Sequence, residues 1–425
     1  MATAAVEDPV SDRLSAADAS NIVLDARDQV NVFLMAGLLG PGGFVADDRD
    51  ADIDALRAAI GERLTRAGGT GLRRLVQRVR ADGRGFVWEP CEVDVRQQVR
   101  LTAPVAGREG LAGLCASLMT VPMPVDRPLW EVLVVPGASH SGPGVVVRFH
   151  HAVSDGTGAV GLLEQLFAAE ARPARSVRPH RAGPRPPRSL RTLLKGARRV
   201  LAVLRAGVPP TVLLGPISGH RGAAFVDIDL EPLARGARAA GGTVNDALLA
   251  AVTRAVEDAL AAGGHPVPAG LPASVPVALP DRTGTGNAVG VMRVELPTGE
   301  PDATARLARI AATTRTEKSE ARAQGTFELT RTRLGSRIFA SLARRQRLVA
   351  LFVTNVRGPA ERMSLCGAPQ VSAWPLTPIQ GNVRLGVSAL SYAGRLGCAV
   401  HVDADVLDAQ AIARTLREQL ARIAG

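Results

Sequence analysis

The pattern of apolar and polar positions along the chain alternates between strand-like and helix-like stretches. Residues 30–39 form a near-continuous apolar run that stops at Gly40-Pro41-Gly42-Gly43, which reads as a buried strand ended by a turn. In 52–66, Ile53, Leu56, Ile60 and Leu64 recur at helical spacing. Residues 72–80 alternate as a strand does, Phe86-Val87-Trp88 reads as another, and 108–119 as a helix. Two further strand-like runs, 130–135 and 145–149, lead into His150-His151, a glycine-containing loop and a helix over 158–171. The second half repeats this mixture. Strands are predicted at 224–230, 275–279, 291–296, 349–353, 385–390 and 396–402. Helices are predicted at 231–240, 243–262 (with Thr243 as its N-cap), 303–321 and 408–423.

This pattern implies an α/β protein of two mixed-sheet domains. The boundaries it suggests are an N-terminal domain over 1–171, a basic proline-rich linker over 172–222 and a C-terminal domain over 223–425. A length of 425 residues suits two or three domains. No self-similar period points to a solenoid.

Composition narrows the function classes. With 46% hydrophobic residues the chain buries a real core. The formal net charge of +11 invites a nucleic-acid reading, but its distribution argues otherwise. Between Glu170 and Asp227 there are 12 basic residues and no acidic one; without them, 39 basic residues face 40 acidic ones. The basic stretch is broken by prolines and lacks interleaved aromatics, so nucleic acid ranks last among partners. Within it, Leu190, Leu193, Leu194, Ala197, Val200, Leu201 and Leu204 form one stripe of an amphipathic helix with arginines off the stripe. The favoured reading is a helix packed on a domain, and the alternative is contact with a membrane or lipid-droplet surface. The four cysteines form no C-x-x-C, no signal peptide precedes the first strand, and no run is apolar enough to span a bilayer. These features predict a cytoplasmic protein, at most peripheral to a membrane.

Of the seven histidines, only His150 and His151 are adjacent, and Ser154-Asp155-Gly156 follows them. An imidazole takes and returns a proton near neutral pH, a nearby carboxylate can brace its loop, and glycine permits a sharp turn. On their own, these residues read equally as buried core histidines before an ordinary turn. The 284–290 string resembles a phosphate loop in its glycine spacing but lacks the lysine, and it reads as a plain loop.

The string His150-His151-x-x-x-Asp155-Gly156 matches the HHxxxDG signature of CoA-dependent acyltransferases. Pro128-Leu129-Trp130, Asn245-Asp246 and Asn355-Val356-Arg357-Gly358-Pro359 resemble, in order and spacing, the PLW, ND and NVPGP elements of bacterial wax ester synthase/diacylglycerol acyltransferases. The resemblance spans nearly the whole chain. It implies two chloramphenicol-acetyltransferase-like domains forming a V with an interdomain tunnel. It also implies transfer of a long-chain acyl group from acyl-CoA to an alcohol or diacylglycerol, giving wax ester or triacylglycerol.

By the same resemblance His151 is the general base, His150 and Asp155 support it, and Gly156 belongs to the catalytic loop. Pro128, Leu129, Trp130, Asn245, Asp246, Asn355 and Gly358 are implied near substrate. Leu129 and Trp130 also read as core packing, Asn245-Asp246 equally as a helix cap, and Asn355 with Gly358 as a turn between domains. No metal or cofactor is expected, acyl-CoA being a co-substrate. Arg357 in place of the family's first proline, and Val30-Asn31-Val32-Phe33 where many relatives carry a histidine-containing strand, bear on substrate choice. Two competing readings are a condensation-type enzyme using a carrier-bound donor or a specialised acceptor, and a non-catalytic lipid-binding protein on the same scaffold.

Overall fold

The computed structural model describes residues 12–25, 29–66, 71–83, 85–167, 207–278, 289–324 and 343–425. The basic stripe at 190–205 and most of the 284–290 loop lie outside them. The first half runs β1 (Asp12–Arg13), α1 (Ala16–Leu24), β2 (Val32–Leu39), α2 (Ile53–Thr65), β3 (Gln77–Ala81), β4 (Phe86–Pro90), α3 (Val95–Gln98), β5 (Val99–Leu101), α4 (Gly107–Leu118), β6 (Trp130–Ser139), β7 (Gly142–His150) and α5 (Gly156–Phe167). The second half runs β8 (Arg221–Asp229), α6 (Leu230–Ala239), α7 (Val244–Ala262), β9 (Gly270–Ala278), β10 (Val289–Pro297) and α8 (Ala303–Gln324). It ends with β11 (Leu351–Arg357), β12 (Ser364–Leu365), β13 (Ala368–Leu376), β14 (Leu385–Tyr392), β15 (Arg395–Asp403) and α9 (Ala409–Ala424).

Two six-stranded mixed sheets carry the fold. The second has the order β10-β9-β11-β14-β15-β8, with β11 parallel to both its neighbours. The first has the order β12-β13-β2-β7-β6-β5. Its first two strands come from the second half of the chain, so the sheets do not divide at the linker. β13 pairs antiparallel with β2, from Gln370 opposite Leu39 to Leu376 opposite Leu34.

The hydrophobic pattern did not reveal β13, because Pro369 and Pro375 interrupt it. The strand tolerates them near an edge: β12 covers only Ala368 and Pro369, leaving the rest of the outer side without a strand partner among the described residues. The 72–80 stretch also differs from expectation. It begins as a 3-10 turn at Arg73–Val76, and only Gln77–Ala81 is extended.

Alternation along β2, β6 and β7 sorts side chains to two faces. Phe33, Met35, Trp130, Val132, Val147 and Phe149 pack under α2 and α5. Val32, Leu34, Leu133, Val135 and Val146 pack instead against Leu111, Ala112 and Cys115 of α4. That second cluster continues into Ala223, Phe225 and Ala399 of the other sheet, which makes α4 the layer between the two halves. The second sheet buries its own core under α6, α7, α8 and α9.

The halves are locked where β13 meets β8 and β15. Trp374 stacks on Phe225 with ring centroids 4.7 Å apart. Its indole N–H donates to Asp227 at 3.0 Å. Arg108 of α4 lies over the same indole at 4.4 Å and pairs with Asp227 at 2.7 Å. Gly397 of β15 allows the close approach, since a Cβ there would fall 2.0 Å from the Ala373 carbonyl oxygen. Trp374→Ala removes the centre of this lock from a side chain that is 1% exposed. It is expected to lower unfolding free energy by about 3–5 kcal/mol in a denaturant titration; a loss near ~0.5 kcal/mol, the scale of a surface change, would contradict the assignment.

Candidate active site

β7 delivers the histidine pair at its C-terminal end. His150 stands opposite Val32 of β2, and its N–H donates to the Leu129 carbonyl at 3.1 Å. The His151 N–H donates to the Asn31 carbonyl at 3.0 Å, and its own carbonyl accepts from Asn21 Nδ2 at 3.1 Å. The pair is therefore gripped by its backbone from both flanking strands and from α1.

The two rings differ in surroundings. His150 is fully buried, and its Nδ1 accepts from the Ala152 N–H at 3.0 Å. In the neutral ring the proton then sits on Nε2, which faces Asp25 Oδ2 at 3.6 Å, beyond hydrogen-bond length. The His151 ring packs on Phe33 at 4.8 Å between centroids, tilted by 53°. Desolvation by the surrounding protein, with the neighbouring His150, pushes its pKa from 6.5 down to about 3. Although the residue keeps partial exposure, the imidazole is neutral near pH 7 and holds a lone pair free of protonation.

After the pair, a turn closed by Val153 N–H to the His150 carbonyl leads into α5. Asp155 acts at the helix start: its side chain accepts from the Gly158 N–H at 2.7 Å and its carbonyl from the Ala159 N–H at 2.8 Å. A Cβ on Gly156 would meet Val356 Cγ2 of β11 at 3.4 Å, so the loop touches the other half here.

The remaining sequence-predicted residues fall into two groups. Leu129 and Trp130 are fully buried. The Trp130 indole donates to the Leu75 carbonyl, and Gln98 Nε2 donates to the carbonyls of Pro128 and Trp130. This segment holds the core and the His150 backbone, and neither of its two large side chains presents a surface to a substrate. Asp246 is likewise engaged, in a capping box with Thr243 and in a bond from the Thr314 hydroxyl at 2.7 Å. Asn245 beside it is partly exposed and makes no side-chain hydrogen bond within the described residues.

Asn355 corrects the expectation of a turn. It lies inside β11, opposite Ala389, because the parallel pairing with β14 runs through to Arg357. Gly358 follows directly, its N–H donating to the Ser391 carbonyl, and a Cβ there would fall 2.6 Å from that oxygen. The contact at Val356 brings this segment to the histidine loop. A cavity of about 550 Å³ lies between α4, the start of β8 and residues 404–410, and its lining includes none of the histidine loop. Sequence reasoning did not single out Asn21, Asp25 or Gln380. The available signal was Asn31, a polar residue in an apolar run that turns out to be 3% exposed.

Two comparisons decide the family. Residues 14–208 match the wax ester synthase/diacylglycerol acyltransferase catalytic domain, and residues 285–424 match the WS/DGAT C-terminal domain. The chain belongs to the wax ester synthase/diacylglycerol acyltransferase family. It is accordingly an acyltransferase. A probable diacylglycerol O-acyltransferase of Mycobacterium tuberculosis is 27% identical over 410 residues, covering 88% of each chain. A putative diacylglycerol O-acyltransferase of the same organism is 28% identical over 352 residues, covering 73% of this chain and 70% of the relative. Among solved structures, the wax ester synthase/diacylglycerol acyltransferase of Marinobacter aquaeolei VT8 superposes with a TM-score of 0.71 at 20% identity, over 97% of this chain and 98% of that one. The first condensation domain of the CDA synthetase shares the fold at a TM-score of 0.60 and 17% identity, over 98% of each chain. Among the described residues no helix is long and apolar enough to cross a membrane.

Buried neutral histidines make this acyltransferase acid-sensitive. His401, 1% exposed, donates from Nδ1 to the Thr377 carbonyl at 2.8 Å, and burial pushes its pKa down from 6.5 to about 4. The unfolded chain binds a proton at His401 below pH 6.5 while the folded chain resists until about 4, so stability falls as pH drops through that window. His401→Gln keeps a donor for Thr377 and removes the titration. It is expected to reduce the slope of stability against pH by about 1.4 kcal/mol per pH unit, read from denaturant melts between the two pKa values; an unchanged slope would show that the folded ring titrates normally.

Proposed function

We propose that this family member moves a long-chain acyl group from acyl-CoA to the hydroxyl of an alcohol or diacylglycerol, with His151 as general base. The observation that carries the reading is His151 itself. It is a neutral imidazole held by both its backbone groups, on the loop that touches β11 of the other half. In the reaction its unprotonated nitrogen takes the hydroxyl proton as the acceptor oxygen attacks the thioester carbonyl. The tetrahedral oxyanion collapses, the C–S bond breaks, and the CoA thiolate takes the proton back from the imidazolium. The products are an ester and free CoA. No covalent enzyme intermediate, metal or further cofactor enters this sequence.

Desolvation fits the task in a specific way. A ring that resists protonation in the free protein stays competent as a base over a wide pH range, while the developing charge of the transition state raises its proton affinity when substrates are bound. Asp155 and His150 support the loop, through the α5 cap and the Ala152 N–H respectively. The substrates are proposed to reach His151 between the halves, beside Val356, Asn355 and Gly358. Lipid substrates and the acid-free stretch around 172–222 support peripheral contact with an anionic surface. Sedimentation with phosphatidylserine vesicles is expected to fall as salt rises; binding that ignores salt would contradict this.

Purified protein given palmitoyl-CoA with hexadecanol or dioleoylglycerol is expected to release free thiol. His151→Ala is expected to cut kcat by about 10²–10⁴-fold with an unchanged melting curve. The acid limb of kcat/KM is expected well below 6.5, in line with the lowered pKa. Normal turnover by His151→Ala would remove the base assignment, and activity only with carrier-bound acyl groups would favour the condensation-type reading.

A further inference from the structure

Three side-chain carboxamides join the second half of the chain to the His151 backbone in one line. Gln380, in the connection between β13 and β14, donates from Nε2 to Asn31 Oδ1 at 2.6 Å. Asn31 donates from Nδ2 to Asn21 Oδ1 at 2.9 Å. Asn21, on α1, donates from Nδ2 to the His151 carbonyl at 3.1 Å. Asn31 and Asn21 each accept on one side and donate on the other, and Gln380 donates at the head of the line, so all three bonds run in the same direction and polarise one another.

The far end of the line is itself anchored. Gln29 clasps Gly381 with two bonds, Nε2 to the Gly381 carbonyl at 2.7 Å and Gly381 N–H to Oε1 at 3.0 Å. Gly381 has φ of +68°, and a Cβ there would fall 2.6 Å from the Ala343 carbonyl oxygen. Asn382 and Gln346, which precedes β11, exchange a further pair of bonds: Gln346 Nε2 to Asn382 Oδ1 and Asn382 Nδ2 to the Gln346 carbonyl, each at 2.9 Å. Residues 380–382 thus answer to the first sheet on one side and to the approach to β11 on the other.

We propose that Gln380, Asn31 and Asn21 form a directional amide relay that sets the position of His151 from the opposite half, with Gln380 as a positioning residue for acyl transfer. The proposal rests on His151 acting as the base. Its physical content is the direction of the bonds. A carboxylate at position 380 can only accept, so Asn31 must turn its Nδ2 towards it, giving up its bonds to the Asn21 carbonyl at 3.2 Å and to Asn21 Oδ1, and present Oδ1 to Asn21. Asn21 must then turn in its turn, and its Oδ1 comes to face the His151 carbonyl oxygen. Two acceptors in contact push the histidine loop away.

A glutamine that merely filled space would tolerate Gln380→Glu, its near-isostere, better than Gln380→Ala. The relay demands the opposite order. Truncation leaves Asn31 and Asn21 oriented as they are, and water can reach the vacated site because Gln380 is partly exposed.

The test compares kcat and KM for palmitoyl-CoA in the full chain and in Gln380→Ala, Gln380→Glu, Asn31→Asp, Asn21→Asp and His151→Ala, with a melting curve for each. Gln380→Glu is expected to lose ~10-fold or more in kcat, short of the ~100-fold attached to a 1 Å misplacement. Its KM is expected to hold, and Gln380→Ala is expected to lose less. The Gln380→Glu deficit relative to the parent is expected to narrow as pH is lowered from about 7 towards about 4, because a protonated carboxyl again donates to Asn31. Asn31→Asp, which reverses the same line, is expected to show the same loss in kcat.

A Gln380→Glu protein as active as the parent, or more active than Gln380→Ala, overturns the relay, and so does a loss confined to KM. If Gln380→Glu does not fold, Asn21→Asp decides at a partly exposed site: a kcat loss supports the relay and parental kcat overturns it. Full activity in His151→Ala overturns the base assignment however the amide variants behave. An inactive His151→Ala alongside fully active amide variants overturns the relay alone.

Discussion

The pairing of β13 with β2 is the constraint on which the rest of this molecule depends. β2 lies between β13 and β7, so a strand from the second half sets one edge of the strand that aligns the histidines. The residue before β2 holds the His151 N–H, and the residues after β13 lead to Gln380. The same strand carries Trp374 into the lock with Phe225, Asp227 and Arg108. A chain that completes its first sheet with a late strand cannot assemble the histidine loop from its first half alone. The site is consequently a product of the whole fold, and a shift between the halves is felt at His151 through backbone and amide contacts.

Alternation along β7 explains why two adjacent histidines have unlike surroundings. Arg148 and His150 share one face, while Phe149 and the following ring share the other with Phe33. On the first face Arg148 pairs with Glu131 and donates to the carbonyls of Leu118 and Val121, closing the end of α4. Charge is thus kept on the side of the strand turned away from His151. On the other side the His151 ring packs on Phe33, and the His151 carbonyl accepts from the Asn21 carboxamide. A carboxylate in contact with the imidazole would favour its protonated form; packing on Phe33 and a carboxamide on the backbone carbonyl hold the residue without doing so.

How much of this was legible in the sequence depended on whether the signal was local. Thr243 caps its helix as its position before apolar periodicity implied, because an N-cap is decided within four residues. The run leading to His150 could be read as a strand since it is buried on both faces and hence continuously apolar. β13 could not, because its prolines are tolerated only by virtue of where the strand sits in a sheet built from distant segments. Asn355 misled for the same reason: the residues around it suggest a turn, and parallel pairing with β14 extends the strand through them. Motif spacing singled out the histidine loop, but the amides that hold it come from positions 21, 31 and 380, which no local pattern connects.

The chemistry of the grip on His151 follows from the cost of burying polar groups. An ion pair under the loop would carry a desolvation penalty and would place a field on the imidazole. Backbone groups left unbonded would cost about 1–3 kcal/mol each. Carboxamides avoid both, since each supplies a donor and an acceptor while carrying no net charge. They also bring a constraint that ions lack. A chain of amides has a direction, and only one direction leaves an N–H pointing at the His151 carbonyl. Gln29 and Gly381 hold the segment that carries Gln380, and the carbonyls of Asn21 and His151, which can only accept, orient the Nδ2 groups of Asn31 and Asn21, so pieces of backbone more than 200 residues apart in sequence meet along one chain of amides.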